Sequence, residues 1–178
     1  MGPIPLEEYP SSSLFTITTS SPLVIALMIE LLDPQPGDKV LEIGYGAGWQ
    51  TAILIKLVGH KSSKSHKEGL IYAYEVVPEI ADFGEKNLKK NLPSDLFSKI
   101  RIRKHDYLKD FKAEAPYDKI IAGAEFKDDP AHLLESLAIS GIAVFPTSNK
   151  DIRKYTRRGE NQFEEEILPG FVFVPITH

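Results

Sequence analysis

The sequence predicts an α/β protein with a mostly parallel seven-stranded sheet, helices on both faces and an antiparallel hairpin at its C-terminal edge. Three observations carry that reading. Apolar runs of strand length alternate with stretches of helical periodicity, which implies right-handed crossovers between parallel strands. The first run, Lys39 to Ile43, leads directly into a turn punctuated by Gly44, Gly46 and Gly48. The C-terminal part instead holds two strand-length runs, Ile152 to Arg157 and Phe163 to Val174, joined at Arg158-Gly159-Glu160-Asn161.

Residues 1–19 are rich in Pro, Ser and Thr and are expected to form an extended arm, leaving 20–178 as one domain. Ser21 is a candidate N-cap for a helix reaching Leu32, with Pro22 suited to its first turn. That helix is apolar nearly all round, so cover on both sides is expected. Pro34 and Pro36-Gly37-Asp38 turn the chain into the first strand. Beyond the glycines, Gln50 to Val58 continues as a helix and Gly59 stops it. His60 to Glu68 is polar and reads as a mobile surface loop, and Leu70 to Val76 is the second strand.

Pro78 opens a helix with Ile80, Ala81, Gly84 and Leu88 on one face. Ile100 and Ile102 alternate with Arg101 and Arg103, a half-buried strand ending at His105-Asp106. Tyr117 to Ala122 is the fourth strand, Pro130 to Leu137 a helix, Ser140-Gly141 a turn, and Ile142 to Phe145 the fifth strand. No solenoid repeat is present.

The chain has 178 residues, 42% of them hydrophobic and 26% charged, enough for one domain with a real core. A formal net charge of -4 gives no overall attraction to nucleic acid or anionic membrane. With no cysteine, disulfides, thiolate metal sites and cysteine nucleophiles are excluded. The five histidines are scattered, so no metal site is expected. Met1-Gly2-Pro3 leads into acidic residues rather than a basic signal region, and the apolar run from Pro22 to Leu32 is too short to span a bilayer. A monomeric cytoplasmic protein is expected, with neither membrane nor nucleic acid as partner.

In open α/β sheets, ligands bind outside the carboxyl ends of the strands. Four features fall there. Glu42 and the glycines close the first strand, and Glu75 closes the second, where a carboxylate can accept from both hydroxyls of a ribose. Asp106 follows the third, placed either to accept from an adenine amino group or to cap a turn. Gly123-Ala124 follows the fourth. The third glycine falls at Gly48 and position 49 is Trp, so the dinucleotide fingerprint G-x-G-x-x-G fails. The spacing Glu42-x-Gly44-x-Gly46-x-Gly48 is similar to that of S-adenosylmethionine-dependent methyltransferases, with their Rossmann-like fold.

From about Ser20 to Ile176 the chain resembles the protein-L-isoaspartate O-methyltransferase family. The resemblance rests on Leu31-Leu32 to Trp49, Glu75-Val76-Val77-Pro78-Glu79, Ala115-Pro116-Tyr117-Asp118-Lys119-Ile120, Gly123-Ala124, Leu133 to Pro146 and the ending Phe171-Val172-Phe173-Val174-Pro175-Ile176. It implies S-adenosyl-L-methionine as cofactor, held by Glu42, Gly44, Tyr45, Gly46 and Gly48, by Glu75 with Val76, and by Asp106 with Tyr107. The family motif Ile-Ser-x-Pro corresponds to Thr19-Ser20-Ser21-Pro22, so Ser20 carries over as the active-site hydroxyl. Thr19, Gly123, Ala124 and Glu125 are then expected to line the acceptor pocket. The chain departs from the family as a shortened or divergent member. It has only a short arm before this serine, Thr19 replaces isoleucine, and Glu125 replaces alanine. A charge at Glu125 would repel an incoming carboxylate unless it turns outward or meets a cation.

The implied acceptor is the free carboxylate of an isoaspartyl residue in damaged protein. It is ionised at neutral pH, since its pKa is roughly 3.5, and needs no general base. Two alternatives stand beside this reading. One is a methyltransferase of the same fold acting on RNA or a small molecule, suggested by Lys150, Arg153, Lys154, Arg157 and Arg158 around Tyr155. Glu164-Glu165-Glu166 in the partner strand can neutralise that run. The other is a non-catalytic homologue that binds the nucleoside alone.

Overall fold

A computed structural model of the protein describes residues 20–61, 67–127 and 130–176. The expected arm, with Thr19, and the middle of the 60–68 loop lie outside them. The elements run α1 (Pro22–Leu32), β1 (Lys39–Ile43), α2 (Trp49–Val58), β2 (Leu70–Tyr74), α3 (Pro78–Asn91), α4 (Ser94–Phe97), β3 (Ile100–Arg103), β4 (Tyr117–Ala122), α5 (Ala131–Leu134), β5 (Leu137–Thr147), β6 (Asp151–Gly159) and β7 (Gln162–Pro169).

Seven strands form one sheet in the order β3-β2-β1-β4-β5-β6-β7. β1 through β5 are parallel, with Leu41 in register between Tyr72 and Ile120. β5, β6 and β7 form an antiparallel meander at one edge. Strand order reverses at β1 and β4, so a crevice opens at their carboxyl ends.

Helical elements cover both faces, but unequally. On one face Met28 and Leu32 of α1, Leu54 and Ile55 of α2, Leu88 of α3 and Leu96 of α4 pack onto Val40, Ile71, Ile121 and Val144. On the other, Leu41, Tyr74, Ile120 and Phe145 are covered by Phe126, by α5 and by two 3-10 turns, Tyr107–Lys109 and Phe111–Glu114. Those turns occupy the β3-to-β4 crossover, where a helix would be the usual connection. Three strand tyrosines pin them: Tyr72 donates to Glu114 at 2.8 Å, Tyr74 to Asp110 at 2.8 Å, and Tyr117 to the Phe111 carbonyl at 2.7 Å.

Several expected boundaries shift. β2 ends at Tyr74, so Glu75 and Val76 lie in the loop beyond it. The helix expected over Pro130 to Leu137 is a single turn, because Tyr117 N bonds to Ser136 O and draws Leu137 into β5. The expected turn at Ser140-Gly141 is an irregularity inside β5, with Ser140 at φ 66° and the β4 pairing shifted between Tyr117 and Lys119. The run from Phe163 to Val174 breaks at Pro169-Gly170, where Gly170 at φ 97° turns the chain onto a separate path. Cover on both sides of α1 is not found among the described residues, since Leu23 is 79% exposed.

The closing hairpin is cross-paired. Arg153 meets Glu165 at 3.1 Å, Lys154 meets Glu166 at 2.7 Å, and Arg158 meets Glu164 at 2.5 Å. Arg157 donates to the carbonyls of Glu135, Leu137 and Glu160.

Candidate active site

The turn after β1 is shaped by backbone that only glycine adopts readily: Gly44, Gly46 and Gly48 lie at φ 76°, 52° and 83°. Gly44 N donates to Tyr74 O at 2.8 Å and Gly48 N to Tyr45 O at 2.9 Å, which fastens the turn to β2 and to itself. Tyr45 points away from the crevice and donates to Ala81 O of α3 at 2.8 Å. The turn is also pressed from two sides. A Cβ on Gly84 of α3 would sit 2.2 Å from Gly46 O, and one on Gly123 would sit 2.6 Å from Gly44 O. The mouth of the turn is open: a Cβ on Gly46 would meet nothing within 4 Å.

Glu75 reaches into this turn. Its Oε2 accepts from Gly46 N at 3.1 Å, and its Oε1 from Val76 N at 3.0 Å and Val77 N at 3.2 Å. Burial raises its pKa, and the three amides oppose that rise. An ionised carboxylate has about four acceptor sites, so capacity for a further donor remains.

Glu42 lies deeper. It is fully buried, and Gln50 of α2 donates to its Oε1 at 3.1 Å. Burial pushes its pKa up to about 7 against the opposing Gln50 and Thr51. The Thr51 hydroxyl is near enough to favour the charged form, yet neither Glu42 Oε2 nor Thr51 Oγ1 completes a hydrogen bond.

Asp106 caps the 3-10 turn through Leu108 N at 2.9 Å, the capping arrangement its position allowed for. Tyr107 turns into the second core layer, where its hydroxyl pairs with His132 Nε2 at 3.0 Å and burial raises its pKa to about 12. Ser21 caps α1 by accepting from Val24 N at 3.3 Å. The Ser20 hydroxyl has no hydrogen bond to the described residues.

Gly123 N donates to Ile43 O at 2.8 Å, bringing Gly123-Ala124 against the glycine turn. Glu125 is half-buried and strapped by the C-terminal tail: its N–H donates to Val174 O at 2.8 Å and its carbonyl accepts from Ile176 N at 3.0 Å. Its carboxylate meets no cation among the described residues. Phe126 is buried in the second core layer, so alternation points Glu125 the other way.

The structure therefore gathers Gly44, Gly46, Gly48, Glu75, Gly123, Ala124 and Glu125 around the glycine turn, with Glu42 sealed beneath it, while Tyr45 and Tyr107 direct their side chains into packing. Sequence reasoning missed Gln50 and Thr51, which only helical spacing after Gly48 could have placed beneath Glu42. It also missed the strap of Val174 and Ile176 on Glu125, whose sole signal was the apolar ending. Among the described residues, no group of three His, Asp or Glu could hold a metal, and no helix is long and apolar enough to cross a membrane.

The model of the protein-L-isoaspartate (D-aspartate) O-methyltransferase family matches residues 4–178. The chain belongs to that family. Among relatives in the isoaspartate O-methyltransferase family, a protein-L-isoaspartate O-methyltransferase of Methanopyrus kandleri is 36% identical over 162 residues, which is 89% of this chain and 67% of the relative. One from Staphylothermus marinus is 33% identical over 165 residues, 91% of this chain and 71% of the relative. A solved protein-L-isoaspartate O-methyltransferase superposes with a TM-score of 0.78 at 20% identity, covering 96% of this chain and 51% of its own. A Plasmodium falciparum protein assigned the same activity, solved with S-adenosyl-L-homocysteine, gives 0.76 at 22% identity, covering 92% and 77%. At those identities the structures establish the fold. The chain spans about two thirds of the first relative and about half of the first solved chain.

Proposed function

We propose that this chain is an S-adenosylmethionine-dependent protein carboxyl methyltransferase that methylates the free carboxylate of isoaspartyl residues in damaged proteins. The observation that carries this reading is the open mouth at Gly46, beside the acceptor-rich Glu75, in a chain of this family. The geometry fits a nucleoside: bare backbone admits its amino-acid end, and Glu75 keeps acceptor capacity for ribose hydroxyls. In this reading Val76 and Asp106, in the loops that follow β2 and β3, face the base. The cofactor, when bound, supplies an electrophilic methyl group on a sulfonium.

The protein's own part is alignment. A carboxylate acceptor is already ionised at neutral pH, which fits a site without a histidine-centred base. Orientation of acceptor oxygen against methyl carbon can lower a barrier by roughly 7–11 kcal/mol. Ser20 is the donor for that carboxylate, with its hydroxyl uncommitted because Ser21 does the capping. A short link, residues 33–38, joins the end of α1 to the start of β1, and in this reading the two run in opposite directions. Eleven helical residues rise about 16 Å, close to the roughly 17 Å of a five-residue strand. On the same reading Ser20, just before α1, comes to the carboxyl edge of the sheet and Thr19 belongs to the same pocket.

Ion pairs engage Arg153, Lys154 and Arg158, three of the five cations of the RNA reading, and Arg157 is turned onto carbonyls, which favours isoaspartyl peptides as partner over nucleic acid. A monomer working in the cytoplasm is part of this reading. The test is calorimetry with S-adenosylmethionine followed by methyl transfer in wild type and Ser20→Ala. Transfer lost with binding retained supports the assignment. Equal losses of binding and transfer make Ser20 structural, and binding without transfer to an isoaspartyl peptide in wild type marks a changed acceptor or a non-catalytic homologue.

A further inference from the structure

Glu42 is sealed from solvent behind the glycine turn. It is the penultimate residue of β1, with Ala73 of β2 and Ile121 of β4 beside it in register. α2 offers it Gln50 and Thr51, and only one of its oxygens is hydrogen-bonded. The titratable groups facing it are Glu75 in the loop after β2 and Tyr45 in the turn, neither of them a cation. An ionised carboxylate placed there is uncompensated, which is tolerable only when positive charge arrives from elsewhere. The glycine turn begins two residues later.

We propose that Glu42 is a proton-exchanging positioning residue that distinguishes the cationic methyl donor from its product. It keeps its proton in the ligand-free protein and with S-adenosylhomocysteine, whose amino-acid end is a zwitterion and whose sulfur is neutral, and releases it when the added positive charge of a sulfonium rests at the turn. Only the carboxyl O–H bond breaks: the electron pair stays on the carboxylate and the proton passes to solvent. Burial that carries its pKa to about 7 supports this, because a nearby charge then decides its state at neutral pH. The inference rests on the cofactor reading above. Its consequence is that preference for donor over product rises with pH, by roughly tenfold between pH 6 and 8. Once the methyl group has left, the protein takes the proton back and its hold on the product weakens.

The test is calorimetric proton counting near pH 7, in phosphate and in Tris, with each nucleoside. Both ligands carry a titrating amino group, so the quantity read is what Glu42→Gln removes. Wild type is expected to release a few tenths of a proton more with S-adenosylmethionine than with S-adenosylhomocysteine, beyond any difference left in Glu42→Gln. The same difference in both proteins overturns the inference and leaves the cofactor reading standing. No heat from either nucleoside on wild type overturns both. Infrared difference spectra of wild type give the answer without a substitution: a protonated-carboxyl band lost with the donor and kept with the product supports the proposal, and one unchanged by either ligand overturns it.

Discussion

Replacing Glu42 with Gln should change how the ligand-free protein's stability depends on pH. The carboxyl is fully buried, and its folded pKa stands near 7 against an ordinary 4.5. Between those values the folded protein holds a proton that the unfolded chain has released. Wild-type stability therefore falls as pH rises from about 4.5 toward 7 and is flat above. The shift corresponds to about 3 kcal/mol. For a chain of this size that is roughly 6–12 °C of melting temperature. The substituted side chain has nothing to ionise, and its amino group can reach Thr51 while its carbonyl keeps the bond from Gln50. Glu75, also raised by burial, is common to both proteins and drops out of the comparison. Melting curves of both proteins at half-unit steps from pH 4.5 to 8 should diverge up to about pH 7, with Glu42→Gln gaining on wild type, and then run parallel. Curves parallel over the whole range would refute the reasoning, because they would show Glu42 ionised and solvated in the folded state.

Four further outcomes follow from the same geometry. Gly84→Ala puts a Cβ 2.2 Å from Gly46 O, so α3 must move off the turn; a loss of about 1–3 kcal/mol is expected by chemical denaturation, with nucleoside binding weakened at least tenfold, and unchanged binding contradicts the close packing. Glu125→Ala removes a carboxylate that meets no cation among the described residues, and kcat/KM for an isoaspartyl peptide should rise by about tenfold at low salt; no change means the side chain faces away from the acceptor. Tyr74→Phe strips Asp110 of a 2.8 Å donor, at an expected cost of about 1 kcal/mol in urea unfolding, and a neutral result shows that the crossover holds itself. Arg158→Ala should alter stability by less than about 1 kcal/mol, since its partner Glu164 is itself exposed; a strong salt-dependent affinity of wild type for transfer RNA, lost in this variant, would revive the RNA reading.

What the sequence makes legible is periodicity and punctuation. Lys39–Ile43, the glycine turn and the α3 face of Ala81, Gly84 and Leu88 all occur where pattern places them, because each depends on residues close together in the chain. The crossover after β3 escapes such reasoning. Whether residues 107–114 coil into a helix or into 3-10 turns depends on hydroxyls from Tyr72, Tyr74 and Tyr117 on other strands. The end of the helix after Pro130 is likewise set by strand pairing at Leu137 rather than by a local stop signal. In the site, acidic residues at strand ends are visible in sequence, but their depth is not. Glu42 and Glu75 are equivalent as letters; one is sealed behind Gln50 and the other spans three backbone amides. The strap of Val174 and Ile176 on Glu125 joins segments about fifty residues apart, beyond any local pattern.

Two synthetic peptides of identical sequence, one with an isoaspartyl and one with an ordinary aspartyl linkage, offer the most direct test of the activity assigned to this site. Incubated with the protein and methyl-labelled S-adenosylmethionine, the isoaspartyl form should take up base-labile label and the aspartyl form almost none. Equal labelling of both, or label on neither while the nucleoside still binds, would contradict the proposed acceptor.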